Sequence, residues 1–293
     1  MKRAGPNGMP GNPFRTTLTA FKTTHMNTVE KFIRLHRQTK PLLLPNAWDA
    51  ASAKIIEEVG APAIATTSAG VAWSLGYPDG YQMSAILNAQ VAERIVRVIT
   101  IPLSVDFENG YSDDPAVVAE HVKRLLDAGV AGINIEDGRD SPDRLARKIE
   151  AIRRAAESYG SNLFINARTD VYLASLVPEA DRIRKTINRE KHYAAAGASG
   201  LFVPGLTDGE EIARIAENNT LPLNVMAMPG LPKADRLADL GVKRVSAGTG
   251  VAQVSWQTVA RVVQAFLTDG DSAVFAEVAM PFGKLQDLFS GVN

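Results

Sequence analysis

Cysteine is absent from the 293 residues. Disulfides, thiolate metal sites, iron–sulfur clusters and a cysteine nucleophile are excluded together, and the composition fits a cytoplasmic setting. An excess of either charge is also lacking, since 32 Lys and Arg face 32 Asp and Glu. A chain with no net charge and no basic stripe lacks the electrostatic footprint of a nucleic-acid or anionic-membrane binder. Its 10 Phe and 6 Tyr form no evident platform for stacked bases. No apolar run approaches the ~20 residues of a membrane span, and Met1 to Met26 lacks the apolar stretch of a secretory signal. Residues 1–25, rich in Gly, Pro, Thr and Asn, read as a disordered tail, with Met26 an alternative start. What is present is an ordinary globular mixture, 45% hydrophobic and 22% charged. Residues 26–293 read as one domain, since a single α/β barrel of ~250 residues accounts for this length as well as two smaller domains do.

From residue 42 onward, short apolar runs of strand length alternate with longer stretches of helical period. The runs are 42–45, 63–67, 102–105, 132–135, 163–167, 200–203, 221–226 and 244–247. Helical segments fall at 84–98, 115–128, 142–158, 179–196, 209–217 and 233–240. Asp49, Asp114-Pro115, Ser141-Pro142 and Asp208 supply start signals, and Gly60, Gly129, Gly197 and Gly241 mark returns to the next strand. Eight such units predict a (β/α)8 barrel of the TIM type. A doubly wound sheet would carry a Gly-rich fingerprint after its first strand, where Pro45-Asn46-Ala47-Trp48 stands instead. Two further apolar helices are expected in 250–290, one more than the barrel needs. The extra helix either caps the barrel or swaps onto a partner.

In such a barrel the chemistry sits at the C-terminal ends of the strands. The third strand ends in Asp106-Phe107-Glu108, with both acids expected on one face. The fourth ends in Glu136-Asp137. Asp106, Glu108 and Glu136 should therefore converge, and anions sharing a pocket need a neutralising cation. An all-oxygen donor set favours Mg²⁺, with Mn²⁺ an alternative. The same acids could instead cap helices or pair with Arg139 and Arg168. Arg168, ending the fifth strand, could grip a substrate carboxylate with its planar fork or neutralise Glu136. Thr67, Ser68 and Ala69 end the second strand, where small residues let backbone N–H groups face an anionic oxygen. Gly248-Thr249-Gly250 either binds an anion or caps the following helix. Arg168, Thr67 and Glu136 are the candidate catalytic residues. Thr67, Ser68, Ala69, Arg168 and Asn224 are the candidate substrate contacts.

The stretches Thr67-Ser68-Ala69, Gly76-Tyr77-Pro78-Asp79, Asp106-Phe107-Glu108-Asn109-Gly110-Tyr111, Gly132-Ile133-Asn134-Ile135-Glu136-Asp137 and Asn166-Ala167-Arg168-Thr169-Asp170 resemble the isocitrate lyase and phosphoenolpyruvate mutase superfamily across residues 30–290. The resemblance implies a barrel whose eighth helix swaps with a partner, in a dimer or tetramer. It implies Mg²⁺ held mainly by Asp106, with Asp79, Glu108 and Glu136 acting through bound waters. Ser68, Ala69 and Arg168 would then hold a 2-oxo carboxylate or its enolate. The family's Lys-Lys-Cys-Gly-His loop is missing, because Glu136-Asp137-Gly138-Arg139-Asp140-Ser141-Pro142 runs straight into a helix. Pro204 stands where phosphonomutases place a His. Loss of CO₂ from C3 of a 2-oxo acid needs no acid before bond cleavage, so the missing Cys damages an oxaloacetate-type decarboxylase or related carbon–carbon lyase least. Phosphorus–carbon chemistry is the alternative within the resemblance, whether phosphoenolpyruvate or carboxyphosphonoenolpyruvate mutase or phosphonopyruvate hydrolase.

A Schiff-base aldolase would need a strand-end Lys, which Ile165–Arg168 and Leu201–Pro204 do not provide. A dehydrogenase would need G-x-G-x-x-G, which Gly248-Thr249-Gly250-Val251-Ala252-Gln253 breaks. The rival from another class is a non-catalytic 2-oxo acid binder, which would share the lost Cys and shortened loop.

Overall fold

A proline at position 45 decides how the sheet of this protein closes. In the computed structural model, which describes residues 28–291, Leu42–Leu44 (β1) and Asn46–Ala47 (β2) are two pieces of one strand. Pro45 has no N–H for the ladder and parts them. β1 pairs with Val242–Ser246 (β9) and β2 with Ile64–Thr66 (β3), all parallel. Between them, in chain order, lie Leu103–Asp106 (β4), Gly132–Glu136 (β5), Phe164–Arg168 (β6), Gly200–Val203 (β7) and Leu223–Met226 (β8). The nine pieces therefore make the expected (β/α)8 barrel.

The helices start and stop where local chemistry directs. α1 (residues 28–35) precedes the barrel. Asp49 forms a capping box with Ser52 at the start of Ala50–Glu58 (α2), satisfying backbone donors that a helix start leaves open. Ser84 caps Ala85–Val98 (α4), Asp114 caps Pro115–Ala128 (α5) and Asp208 caps Gly209–Glu217 (α8). Pro142–Ser158 (α6), Glu179–Ala195 (α7) and Ala234–Asp239 (α9) complete the outer layer. Gly129 ends α5 at φ 91°, in the left-handed region that a side chain disfavours.

Two expectations need correction. Ser68 and Ala69, expected at the end of the second strand, instead open a helix, Ser68–Ser74 (α3). The C-terminal stretch holds three helices, Gly250–Asp269 (α10), Ala273–Ala276 (α11) and Phe282–Phe289 (α12), rather than two. The expected tail and the alternative start at Met26 lie outside the described residues. Among the described residues no helix is long and apolar enough to cross a membrane.

The strand period of two sorts the barrel interior into layers. At the N-terminal end Phe164 meets Phe32 and His36 of the α1 region, the His36 ring stacking on Phe164 at 4.0 Å. Burial first, then the nearby Arg244 charge, lowers the His36 pKa to about 3, so this ring is neutral. The middle layer is polar, with Ser104, Asn134, Asn166, Asn224 and Arg244 all buried. Gly200 leaves this layer its room, since a Cβ there would stand 2.7 Å from Asn166 Oδ1. Asp106, Glu136, Arg168, Phe202, Met226 and Ser246 form the rim above. Outside the barrel, α10 contributes Trp256, whose ring lies 5.6 Å from those of Trp48 and Trp73. Its Val254 and Leu267 are 67% and 76% exposed, as is 78% of Phe282 in α12.

Candidate active site

At the C-terminal rim a cleft of about 170 Å³ opens into the barrel. One side is polar and charged, carrying Thr67, Ser68, Ala69, Asp106, Asn134 and Arg168. Beside them stands an apolar wall of Leu173, Phe202, Pro204 and Met226, the Phe202 ring centred 6.0 Å from the Arg168 guanidinium carbon. Larger grooves lie elsewhere. One, of about 780 Å³, runs along α4 and α5 and is lined by residues such as Arg94, Arg97 and Arg124. It is remote from the strand ends, where the barrel brings residues of different strands together.

Asp106 ends β4 and its Oδ2 accepts the Ser68 backbone N–H at 3.1 Å. Its Oδ1 is buried and has no hydrogen-bond partner. Thr66 Oγ1 accepts the Asp106 N–H at 2.8 Å, and Asn88 Nδ2 donates to the Asp106 carbonyl at 3.1 Å, so the strand end is held on both sides. Glu108 departs from expectation. β4 stops at Asp106, and Glu108 follows at φ 49°, so strand alternation does not place it. Its carboxylate instead accepts the Tyr81 N–H at 2.7 Å and the Tyr111 hydroxyl at 3.3 Å. Burial first, then the charges of Asp106 and Asp79, pushes its pKa up to about 7.

Glu136 ends β5 beside Arg168 of β6, the two being direct neighbours in the register. Arg168 Nη1 lies 2.8 Å from Glu136 Oε2, and the Tyr81 hydroxyl donates to Glu136 Oε1 at 2.6 Å. Burial first, and the Asp106 charge with it, pushes the Glu136 pKa up against the pull of Arg168. Arg168 also donates from Nε and Nη2 to Asp170, at 2.7 and 3.1 Å. Its burial works against the charge, but Glu136 and Asp170 outweigh that and hold it protonated. The Asp170 N–H in turn donates to Asp137 at 3.0 Å, and Asp137 also takes bonds from Arg189 and Tyr193 of α7. The helix after β6 thereby braces the Arg168 clamp.

The small-residue segment sits as expected but is built differently. Thr67 is the N-cap residue of α3, its N–H spent on the Ala47 carbonyl. Ser68 N–H serves Asp106, while Ala69 lies in the first turn, where N–H groups have no acceptor in their own helix. Asp79 lines the cleft from an exposed loop, its pKa raised by partial burial and by Asp106. Asn224 lies one layer below the cleft floor and bonds Ser246 Oγ at 3.1 Å. Ser246, Gly248 and Thr249 line the cleft opposite.

Among the described residues no three acidic or histidine side chains stand close enough to form a ready-made metal cage. The expected convergence is loosened because Glu108 and Glu136 have each found protein donors. The donor set nevertheless fits a hard cation that keeps much of its water. Asp106 offers an unpartnered buried oxygen, and its charge raises the proton affinity of Asp79, Glu108 and Glu136 alike.

Tyr81, Asp170 and Arg244 were not among the expected site residues. Tyr81 takes φ 65° and holds Glu108 with its N–H and Glu136 with its hydroxyl. Nothing in the period of its loop announces that reach. Arg244 is buried in the middle layer, donating to Ser246 Oγ at 3.0 Å and Asn134 Oδ1 at 3.2 Å. Burial lowers its pKa to about 9 against the opposing charge of Asp106.

The family model for phosphoenolpyruvate phosphomutase matches residues 32–267. An uncharacterised protein of Mycobacterium tuberculosis (strain ATCC 25618 / H37Rv) is 38% identical over 259 residues, covering 87% of this chain and 94% of its own. Oxaloacetate decarboxylase 1 of Pseudomonas fluorescens (strain Pf0-1) is 34% identical over 218 residues, covering 70% and 73%. A crystal structure of a provisionally named phosphonomutase from Burkholderia cenocepacia J2315 superposes with a TM-score of 0.78 at 40% identity, covering 81% of this chain and 99% of the other.

Proposed function

The chain belongs to the phosphoenolpyruvate mutase and isocitrate lyase superfamily of enzymes, and from that premise we propose that it cleaves a bond at C3 of a small 2-oxo acid, forming a pyruvate enolate, with decarboxylation of an oxaloacetate-type substrate as its reaction. The observation that carries this reading is the division of the cleft. The carboxylate and 2-oxo group lie on the polar side, at Ser68, Ala69, Asn134 and Arg168. The group to be lost lies against Leu173, Phe202, Pro204 and Met226. A carboxylate held against an apolar wall loses solvation, whereas the CO₂ it becomes needs none, so the wall favours the transition state over the ground state. The C3–carboxylate bond breaks, its electron pair enters the enolate, and solvent protonates C3 afterwards. No protein acid is required before cleavage, in keeping with the absence of Cys.

Arg168 orients the substrate carboxylate through N–H groups left over from its bonds to Glu136 and Asp170. Glu136 and Glu108 hold their positions through Tyr81. A divalent cation, Mg²⁺ or Mn²⁺, would be held by Asp106 with Asp79, Glu108 and Glu136 around its waters, and when bound it supplies positive charge to the developing enolate oxygen.

The likeness to the Burkholderia cenocepacia protein favours phosphorus–carbon chemistry as a second reading. A phosphonate dianion would need cations where this cleft presents the apolar wall, which ranks that reading below the first. The exposed apolar residues of α10 and α12 support a homo-oligomer, since large contiguous apolar faces mark interfaces. A monomer mass in light scattering at micromolar protein would overturn that assembly.

Turnover of oxaloacetate, phosphonopyruvate and 2-methylisocitrate with Mg²⁺, read as release of pyruvate or CO₂ or formation of phosphoenolpyruvate, tests the function. Pyruvate and CO₂ from oxaloacetate is the expected result. Turnover confined to phosphonopyruvate would install the second reading, and none on any of the three would favour a binding protein.

A further inference from the structure

We infer that Arg244 is a positioning residue for the substrate, acting from beneath the cleft floor by fixing the amide of Asn134 with its nitrogen toward the ligand. The inference rests on the reading that the cleft binds a 2-oxo carboxylate or its enolate.

Arg244 has no solvent exposure. Among the described residues no carboxylate lies within ion-pair distance of it, in contrast to Arg168, which has two. Its Nε donates to Ser246 Oγ and its Nη2 to Asn134 Oδ1, while its Nη1 is buried with no partner. A cation buried in this way is costly. An apolar residue of similar volume would fill the same space at less cost, so packing does not explain an arginine here.

The two bonds it makes do explain it. Asn134 and Ser246 both line the cleft. Asn134 Oδ1 also accepts Asn166 Nδ2 at 2.9 Å. With two donors converging on Oδ1, the amide has one orientation, because the alternative would set its NH₂ against two other donors. Its Nδ2 is then left for an acceptor in the cleft, between Asp106 and Arg168, whose strands pair with β5 on either side. Ser246 Oγ, which accepts from Arg244 Nε, stands 3.1 Å from both amide atoms of Asn224 and links Arg244 to that side chain. Arg244 thus fixes the Asn134 amide and presents Asn134 as a neutral donor to an anionic oxygen.

Oxalate, a planar dianion that mimics the pyruvate enolate, is the probe. Its affinity is measured by calorimetry with Mg²⁺ for the full chain and for Arg244→Met, Asn134→Ala and the double variant. Arg244→Met and Asn134→Ala are each expected to weaken oxalate binding at least tenfold, and the double variant no further than Asn134→Ala alone. Undiminished binding by a folded Arg244→Met would overturn the inference. So would an equal loss when Arg244→Met is added to Asn134→Ala, because Arg244 would then act by its charge and not through the amide. Should Arg244→Met fail to fold, Arg244→Lys takes its place in the cycle. It keeps the charge, but its single nitrogen cannot stand at both of the separate positions from which Nε and Nη2 reach Ser246 and Asn134, so the same tenfold loss and non-additivity are expected, and parent-like binding would overturn the inference. A parent protein that binds no oxalate would refute the 2-oxo acid reading itself, before any variant is compared.

Discussion

The two ends of the barrel are made from the same strands, yet they are built on opposite terms. At the N-terminal end β6 contributes Phe164, packed against Phe32 and a neutral His36. Four residues on, the same strand contributes Arg168, ringed by acids. The first end buries apolar surface and leaves no charge unsolvated. The second gathers carboxylates whose mutual repulsion, together with burial, raises their pKa values. Inside the barrel, apolar packing is thereby concentrated at one end and chemistry at the other, with an amide and arginine layer between. The division can be broken experimentally.

The largest effect is expected at Asp106. Asp106→Ala should abolish metal-dependent turnover and Mg²⁺ binding by calorimetry, while the melting temperature stays at or above the parent's because an anion leaves the cluster. Mg²⁺ binding like the parent's would refute the metal assignment. Arg168→Ala should lower kcat/KM by roughly 30- to several-thousand-fold, the equivalent of ~2–5 kcal/mol for a desolvated charged pair. Arg168→Lys should recover little, since a point charge lacks the planar fork. Comparing a 2-oxo diacid with its monoacid analogue separates binding from mere neutralisation of Glu136, because only binding through Arg168 requires the variant to lose its preference for the diacid.

At the other end, Phe164→Ala should cost about 3–5 kcal/mol of stability, measured by denaturant unfolding, with KM unchanged at a temperature where the variant is folded. A raised KM would mean that the two ends are not independent. The acids give a smaller, signed effect. Glu108 holds its proton to about pH 7 in the folded chain, against an ordinary value of 4.5. The folded state therefore binds more protons than the unfolded one between those values, and stability should fall as pH rises from about 4.5 to 7. Mg²⁺ should raise the melting temperature more at pH 8 than at pH 5, and equal increments would contradict the cluster. The smallest effect is expected from Tyr81→Phe, which removes one hydrogen bond to Glu136. About a three- to tenfold loss in kcat/KM fits the ~0.5–1.5 kcal/mol of such a bond.

Most of the barrel was legible because its signal is local. Apolar runs and helical periods repeat eight times, and the expected segments 115–128, 142–158 and 209–217 coincide with α5, α6 and α8. α3 was not legible, since Thr67-Ser68-Ala69 reads as the small-residue end of the second strand. Gly70 is there for packing, a Cβ on it meeting Thr67 Cγ2 at 2.6 Å. Asp106, Glu136 and Arg168 could be read because strand ends have a fixed place in the barrel. Glu108 was placed at the site for the wrong geometric reason, since a positive φ takes it out of the strand. Tyr81 depends on a loop crossing between two strands, which no periodicity encodes. Arg244 did leave a trace. Val242, Arg244 and Ser246 share one parity in β9, and Asn134, Asn166 and Asn224 stand mid-strand, where asparagine is otherwise disfavoured. A strand that places polar residues on its inward face signals a polar interior.

The break at Pro45 makes the barrel a cylinder with a seam. Along it, β1 clings to β9 and β2 to β3, and a side chain helps bridge the gap, Asn46 Oδ1 accepting the Gly248 N–H at 2.9 Å. Both of those residues also line the cleft. A ligand resting there touches the fastener as well as the chemistry, so occupancy of the cleft should slow amide hydrogen exchange across residues 42–47 and 242–248 more than in the continuous ladder between β5 and β6. The seam thereby gives the barrel an edge on which binding is felt mechanically, at the place where the first and last strands of the sheet meet.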